Sequence, residues 1–397
     1  MLYYVLSIAR YIMLFQYPGR CPITDDCGGS SSRTRYILVM ASTRSRSLRF
    51  VGVAAALLLA LAGPARAQVA QQARAQAAQA VRAEFISAID DELLIKAFAN
   101  LAADSMQGRR MASPGSLMAR EYIVAQLKRM GVEPLVPDYV ASFQGRIPEE
   151  MPGGVRQSRG ATTILGTPQT ALVTTMRGVT GSNILGVVRG TEFPDRYIVV
   201  SAHYDHVGIR GGQLHPGAND NASGAAALFA IADLLTAAKP KNSVILAFFD
   251  GEEFGMLGSN AFFKNPPLEL KRIVADVNID MVAKNDDGGL YVVGDRTYPG
   301  FRPLIDSVAM LGAIAVHPGH DGRDQLEDYF SRSDQWSFHQ HGIPAVLLTT
   351  GNFADLHRPT DTAFRANIPA YVRAVSAVAD FVRRLDESYD QLFPKKR

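Results

Sequence analysis

The chain has almost no cysteine, no long apolar run and no strongly basic segment, and each shortage disfavours a class of protein. Its 397 residues contain two cysteines, Cys21 and Cys27, both near the amino terminus. With so few thiols, a bound metal ion would need nitrogen and oxygen ligands. The lack of a Lys/Arg-rich helix or basic stripe argues against nucleic acid as a partner. The composition, 47% hydrophobic and 20% charged, is typical of a globular protein with a large core.

A secretion signal is predicted over residues 40–67. Met40 precedes several arginines, and the apolar run Val51–Ala62 is followed by the small-residue sequence Ala65-Arg66-Ala67. This order is typical of an export signal, and cleavage is expected after Ala67. The apolar run is too short to span a bilayer, which disfavours a stable membrane anchor. We therefore expect an exported protein, periplasmic or extracellular.

Residues 1–39 stand ahead of that signal and carry a second apolar patch, which suggests a misplaced start codon. Both cysteines fall in this stretch, so a mature chain that begins at Gln68 would have none. The first 67 residues hold eight arginines and two aspartates, and their removal changes the net charge from +3 to −3. Residues 68–84 are predicted to be a low-complexity spacer, and residues 85–390 a single domain.

Apolar periodicity predicts an α/β fold for that domain. Helices are predicted from Phe85 to about Ala103, from Ser113 to Gly131, over Ala225–Leu235 and over Ile368–Leu385. Strand-like runs occur at Ile184–Val188, Tyr197–Ala202, Ser243–Phe249, Ile273–Ile279, Leu290–Val293 and Ala345–Thr349. The segment Asp138–Gly181 is expected to be loop with short strands. The alternation predicts a three-layer sandwich with a mostly parallel central sheet flanked by helices.

Polar residues follow the strand-like runs at the positions where parallel sheets form their sites. His203 and Asp205 come after Tyr197–Ala202, and their spacing of two puts both on one side. A metal-bound imidazole usually donates its second N–H to a carboxylate or carbonyl, so Asp205 is expected to orient His203. His206 is interpreted as a supporting or structural residue.

Asp220 lies in a glycine-bounded turn before the helix Ala225–Leu235. Aspartate at a helix start is commonly a cap, but Ser223 is available for that role, which leaves Asp220 free to bridge two metal ions. Glu252 and Glu253 follow a fully apolar strand. Adjacent side chains project differently, so one glutamate can bind metal while the other serves as general base.

Asp280 ends another apolar run, and His357 lies in a loop before the last helix. A carboxylate among apolar residues is costly unless it is paired or bound to metal. Two zinc ions about 3.5–4 Å apart need roughly five His, Asp or Glu ligands with one bridging both, and a base for the attacking water. The residues in this order supply that set, which predicts a two-metal hydrolytic site.

Taken together, five segments resemble peptidase family twenty-eight, the group of bacterial zinc aminopeptidases and glutamate carboxypeptidases. The segments are Ala202–Asp205, Gly217–Gly224, Gly251–Gly255, Asn278–Met281 and His357–Asp361. The resemblance extends over roughly residues 90–385. It implies that His203 and Asp280 hold one zinc, that Glu253 and His357 hold the other, that Asp220 bridges them, and that Glu252 is base and then acid.

Two departures from the family pattern concern the substrate side of the site. Gln335 follows Ser333-Asp334 where many relatives have histidine, and Leu356 precedes the last ligand where they have tyrosine. The groups that stabilise the oxyanion and shape the substrate cleft are therefore unassigned. Some relatives insert a protease-associated domain before the first ligand, but Asp138–Gly181 is too short for one, which predicts a single catalytic domain.

The leading function is an exported two-zinc exopeptidase that acts on peptides as an aminopeptidase. A single-zinc glutaminyl cyclase of similar fold and a receptor-like, non-catalytic relative are alternatives, and the complete ligand set argues against both. A carboxypeptidase stays open, because it needs a basic site for the substrate carboxylate. The arginines considered for that site are Arg302, Arg323, Arg332 and Arg358.

Overall fold

The computed structural model describes residues 89–148, 156–158, 161–163, 176–285, 288–322, 327–351 and 354–394. The predicted extension, signal and spacer lie outside these residues, as do both cysteines and the cleavage site after Ala67. Among the described helices, none combines the length and the apolar composition that crossing a membrane requires.

Seven α-helices lie in the described residues, of which the first three and the last were predicted. They are α1 (Asp91–Leu101), α2 (Pro114–Arg129), α3 (Ser223–Ala237), α4 (Leu257–Lys264), α5 (Arg302–Ala309), α6 (Gln335–Gln340) and α7 (Ile368–Leu392). Asp90 and Ser113 cap α1 and α2 by accepting backbone N–H groups of the first turn. The last helix continues to Leu392 rather than ending at Leu385.

The strands are β1 (Glu133–Pro134), β2 (Val140–Pro148), β3 (Arg156–Ser158), β4 (Ala161–Thr163), β5 (Met176–Val188), β6 (Phe193–His203), β7 (Gly208–Arg210), β8 (Gln213–His215), β9 (Asn242–Phe249), β10 (Ile273–Ile279), β11 (Gly289–Val293), β12 (Ala315–Pro318) and β13 (Ala345–Thr349). Nine of them form one sheet in the order β1-β5-β9-β6-β10-β13-β11-β12, with β2 paired to β5. The central strands β9, β6, β10 and β13 are parallel. The predicted mostly parallel sheet is confirmed.

The expectation of a loop with short strands over Asp138–Gly181 is wrong at both ends of that segment. β2 and the first part of β5 form a long antiparallel pair that runs from Val140 opposite Ile184 to Pro148 opposite Met176. Glycine obscured this pattern in the sequence. A Cβ at Gly181 would lie 2.4 Å from side-chain atoms of both Met111 and Phe143, so close packing requires glycine there.

Helices cover both faces of the sheet and so form the three layers. One face packs against α1, α2, α3, α5 and α7 in the larger apolar core, and the other packs against α4 and α6. α3 is buried along most of its length, which its alanine-rich sequence allows because small side chains let neighbours approach closely. The parallel strands β6, β9 and β10 end at the same edge of the sheet, and this edge brings the candidate residues together.

Candidate active site

The first cluster of the site lies where β6 and β10 end. The Nε2 atom of His203 lies 3.4 Å from an oxygen of Asp280 and 3.4 Å from an oxygen of Asp220. Burial lowers the pKa of His203, but the carboxylates of Asp280 and Asp205 raise it by more than burial lowers it. The pKa of His203 therefore stands well above its usual value. The three predicted ligands of this cluster are therefore brought together.

The second cluster shares Asp220 with the first. The Nε2 atom of His357 lies 2.8 Å from Glu253 Oε2 and 3.3 Å from Asp220 Oδ2. Asp220 presents Oδ1 to His203 and Oδ2 to His357, which is the geometry expected of a bridging carboxylate. Burial raises the pKa of Glu253, but the neighbouring His357 and His206 lower it to well below its usual value.

The backbone of the turn that carries Asp220 is held in place by a side chain from another part of the chain. The carboxylate of Asp361 accepts hydrogen bonds from the N–H groups of Asn219 at 2.9 Å and of Asp220 at 3.1 Å. The peptide bond between Asp220 and Asn221 is cis. The prediction that Ser223 caps the helix is wrong, because it is the first residue of α3 and its hydroxyl donates to the carbonyl of Asn219 at 2.7 Å.

Asp355 anchors the loop that carries His357. Its carboxylate pairs with the buried ammonium of Lys284 and accepts hydrogen bonds from Thr360 Oγ1 at 2.6 Å and Arg365 Nε at 3.0 Å. The loop therefore has an anchor on either side of its ligand, with Asp355 before it and Asp361 after it. His357 itself has φ of +54°, a left-handed conformation that a non-glycine residue adopts only where its surroundings impose it.

Arg109 lies fully buried behind the site and ties two of its segments together. Its guanidinium donates hydrogen bonds at 2.6–2.7 Å to the carbonyl oxygens of Leu101, Tyr204, Pro216 and Gly217. Tyr204 directly follows His203. Gly217 opens the turn that carries Asp220. Burial lowers the pKa of Arg109 to about 10, with the carboxylates of the site opposing that shift.

Asp205 and Glu252 are joined by a hydrogen bond. Asp205 Oδ1 accepts the backbone N–H of Glu252 at 3.0 Å, so the carboxylate fixes the turn that presents the predicted base. The Nδ1 atom of His203 lies 3.2 Å from the backbone oxygen of Asp205 and 3.6 Å from its carboxylate. Asp205 is therefore placed to orient His203 mainly through its backbone carbonyl group. The sequence alone allowed either a carboxylate or a carbonyl as the acceptor.

The carboxyl group of Glu252 is half-buried beside the first cluster. Burial raises the pKa of Glu252 well above its usual value; the proximity of His203 opposes the shift, and the carboxylate of Asp334 adds to it. A carboxyl group with a raised pKa can both accept and return a proton near neutral pH. This position and environment suit the predicted role of Glu252 as base and acid.

His206 is the residue that sequence reasoning left outside the ligand set. It is fully buried, and its Nδ1 atom lies 2.7 Å from Glu253 Oε1 and 3.5 Å from Asp220 Oδ2. Its ring lies 5.6 Å from that of His357. Its place three residues after His203 was the available signal, but a histidine in a loop more commonly has a structural role.

Several buried atoms of the site have no hydrogen-bond partner among the described residues, and a bound cation would satisfy them. These atoms are His203 Nε2, Asp280 Oδ1 and His206 Nε2. Two groups of potential ligands, each with its ligand atoms within 4.8 Å of one another, share Asp220; His203 and Asp280 complete the first, and His206 and Glu253 the second. Burying polar atoms unpaired costs free energy, and imidazole nitrogen with carboxylate oxygen is a donor set that zinc accepts. The residues present therefore fit zinc.

The two departures from the family pattern lie in different surroundings, Gln335 buried and Leu356 exposed. The side chain of Gln335 accepts from Asn278 Nδ2 at 2.8 Å and donates to the carbonyl of Phe330, so it supports β10. Asp334 is fully buried, and burial raises its pKa to about 7. Leu356 is exposed beside His357.

The arginines considered for a substrate carboxylate do not form one basic site in the described residues. Arg302 pairs with Asp295 and Asp306, and Arg332 pairs with Glu327. Arg358 is exposed next to His357, and Arg323 lies outside the described residues.

Comparison with known proteins identifies the family. The model of peptidase family M28 matches residues 183–382, half of the chain. An aminopeptidase of Pseudomonas aeruginosa is 40% identical over 162 residues, which are 40% of this chain and 29% of the relative. A "Probable glutamate carboxypeptidase" of Zea mays is 38% identical over 202 residues, 45% of this chain and 26% of that protein. This chain therefore matches less than a third of the length of these relatives.

A zinc aminopeptidase structure from Bacillus subtilis superposes with a TM-score of 0.57 at 16% identity, over 75% of this chain and 95% of that one. At this identity the likeness supports the fold. The sandwich, the strand-end ligands and the match over residues 183–382 agree. The chain belongs to peptidase family M28.

Proposed function

We propose that the protein is a zinc-dependent exopeptidase that releases residues from the amino terminus of peptides. The observation that carries the proposal is the pair of ligand clusters that share Asp220 and lie beside Glu252. The named activity of the Pseudomonas aeruginosa relative supports the same conclusion. Peptides are the proposed substrates.

We propose two zinc ions per chain. His203 and Asp280 would hold one ion, Glu253 and His357 the other, and Asp220 both. This assignment agrees with the short distances between His203 and Asp280 and between His357 and Glu253. Zinc, when bound, supplies Lewis acidity that polarises a carbonyl group and acidifies water. Asp205, Asp361 and Arg109 hold the ligand-bearing turns in place.

Glu252 performs the proton transfers in this proposal. Its carboxylate accepts a proton from the attacking water and delivers it to the nitrogen of the departing amine, so the same residue serves both steps. The hydrogen bond from the Glu252 N–H to Asp205 fixes the turn that carries the carboxyl group. The pKa of Glu252, raised by burial, suits return of the proton.

A set of end-blocked peptides tests the direction of cleavage. If the enzyme removes amino-terminal residues, N-acetylation of a short peptide should abolish its turnover, because the free amine is part of what is recognised. A peptide with an amidated carboxyl terminus should still be turned over. The measurement is release of the terminal residue by the metal-loaded protein, followed by chromatography, with the unblocked peptide as the control. The opposite pattern would identify a carboxypeptidase.

We also propose that the protein is exported and is cleaved after Ala67. The proposal rests on the basic residues before Val51, the apolar run and the small residues at the junction. N-terminal sequencing of the protein from its native cells should give Gln68 as the first residue. A mature protein that still contained Cys21 would contradict both the cleavage and the proposed start at Met40.

A further inference from the structure

Two half-buried arginines, Arg110 and Arg210, lie beside the acidic site and form no ion pair within the described residues. They differ in this from the buried Arg109, whose guanidinium uses four backbone acceptors. They also differ from Arg302, which forms ion pairs with Asp295 and Asp306. Their charge is therefore available to a ligand.

Arg110 is fixed against the turn that carries the two glutamates. Its guanidinium carbon lies 4.7 Å from the centre of the Phe254 ring, and Phe254 directly follows Glu253. One terminal nitrogen donates to the carbonyl of Pro148 at 2.6 Å. A guanidinium has five N–H donors, so this contact leaves most of them free for another partner.

Arg210 approaches Arg110 from the short hairpin formed by β7 and β8. Gly208 faces Arg110, since a Cβ on Gly208 would lie 2.6 Å from Arg110 Cβ and 3.2 Å from its Cδ. Residues two apart on a strand share a face, so Arg210 lies on the side of β7 that faces Arg110. The Nε atom of Arg210 is buried and has no hydrogen-bond partner in the part of the chain that the structure describes.

The charge of Arg210 acts on Arg110, and the charges of the ligand carboxylates act on both arginines. Burial lowers the pKa of Arg110, and the proximity of Arg210 and Arg177 lowers it further, while Asp205 and Glu253 oppose the change. Burial likewise lowers the pKa of Arg210, opposed by Glu253 and Asp220. Two like charges held together are unfavourable, and a bound anion between them would remove the repulsion.

We propose that Arg110 and Arg210 bind a carboxylate of the peptide substrate at the rim of the active site. The inference rests on the proposed peptidase function and adds to it a contact with a substrate carboxylate. Planar guanidinium groups hold a carboxylate through paired N–H donors, a geometry that lysine lacks. The carboxylate can be an Asp or Glu side chain or the carboxyl terminus of a short peptide, and these sources share one chemistry.

Binding of uncleavable peptide analogues tests the inference without relying on turnover. In each analogue a methylene amine replaces the scissile peptide bond, and its Kd for the zinc-loaded protein is measured by titration calorimetry. Three matched pairs separate the sources: Glu against Gln before the bond, Glu against Gln after it, and a free against an amidated carboxyl terminus. In at least one pair the acid should bind at least about tenfold more tightly, the effect of one charge-assisted hydrogen bond.

The substitutions R110Q and R210Q should each remove most of that difference while leaving the Kd of the neutral analogue nearly unchanged. R210K keeps the charge and should retain part of the preference. R129Q is the matched control, because Arg129 is exposed on α2 and donates a hydrogen bond to Gln126 on the same helix. The control should bind as the wild type does.

Equal binding of acid and neutral analogues in all three pairs would overturn the inference. A preference that persists in both R110Q and R210Q would overturn it as well. Cleavage of the parent peptides is measured separately. A protein that prefers the acidic analogues but cleaves no peptide would retain this carboxylate site and lose the proposed function.

Discussion

Substitution of Glu252 by glutamine should lower peptide hydrolysis by a factor of at least about 10² while metal content stays at the wild-type level. The amide cannot accept the proton of the attacking water, yet it has nearly the same size as the carboxylate. The backbone bond from the residue 252 N–H to Asp205 does not involve the side chain, so the turn should keep its shape. The measurements are kcat on a short peptide and zinc content by elemental analysis.

Glu253→Gln is the matched control for that experiment, because it makes the same chemical change one residue further along the chain. Glu253 Oε2 lies 2.8 Å from His357 and its Oε1 lies 2.7 Å from His206, within the second cluster. Loss of its charge should therefore reduce zinc content as well as activity. If E252Q empties the site and E253Q leaves it full, the two roles are reversed.

Much of the site could be predicted because its residues follow apolar strands. His203, Glu252 and Asp280 each come at or just after the end of a run that has to be buried, and parallel neighbours end at one edge of the sheet. A carboxylate next to such a run is costly without a partner, so its place in the sequence is informative by itself. The same apolar runs predicted β10 and β13 with their observed bounds.

The supporting contacts could not be predicted, because they join residues far apart in the chain that carry no local pattern. Arg109 reaches the carbonyl of Gly217, and Asp361 reaches the N–H of Asp220, across more than 100 residues in each case. Arg109 also precedes the segment that the family model matches. Neither residue type nor spacing distinguishes such a contact from a solvated charge, and only the folded chain shows it.

The same limit explains why the predictions for Ser223 and β2 were wrong. Ser223 satisfies the usual preference for a helix cap, but in the fold its hydroxyl donates to Asn219 and accepts from the N–H of Val282. Tertiary contacts therefore replaced the local role. In the β2 pairing, glycine lowers the local preference for a strand, while contact with Met111 and Phe143 requires glycine at position 181.

Removal of the bridging carboxylate should have the broadest effect on metal binding. In the wild type, elemental analysis after chelation and reloading should approach two zinc ions per chain. Asp220→Ala should lower the content of both ions together and abolish hydrolysis, because Oδ1 faces His203 and Oδ2 faces His357. D306A is the control, since Asp306 is an exposed residue of α5 that pairs with Arg302.

The number of zinc ions per chain in the wild type and in D220A shows whether Asp220 serves both clusters or only one. If Asp220 served one cluster only, the alanine variant would retain about one ion on the other. A wild-type maximum of one ion would contradict the two-zinc proposal and favour a single-zinc enzyme such as a glutaminyl cyclase. Loss of both ions in D220A, with two retained in D306A, is the result that a shared carboxylate requires, because each cluster then lacks one of its few charged ligands.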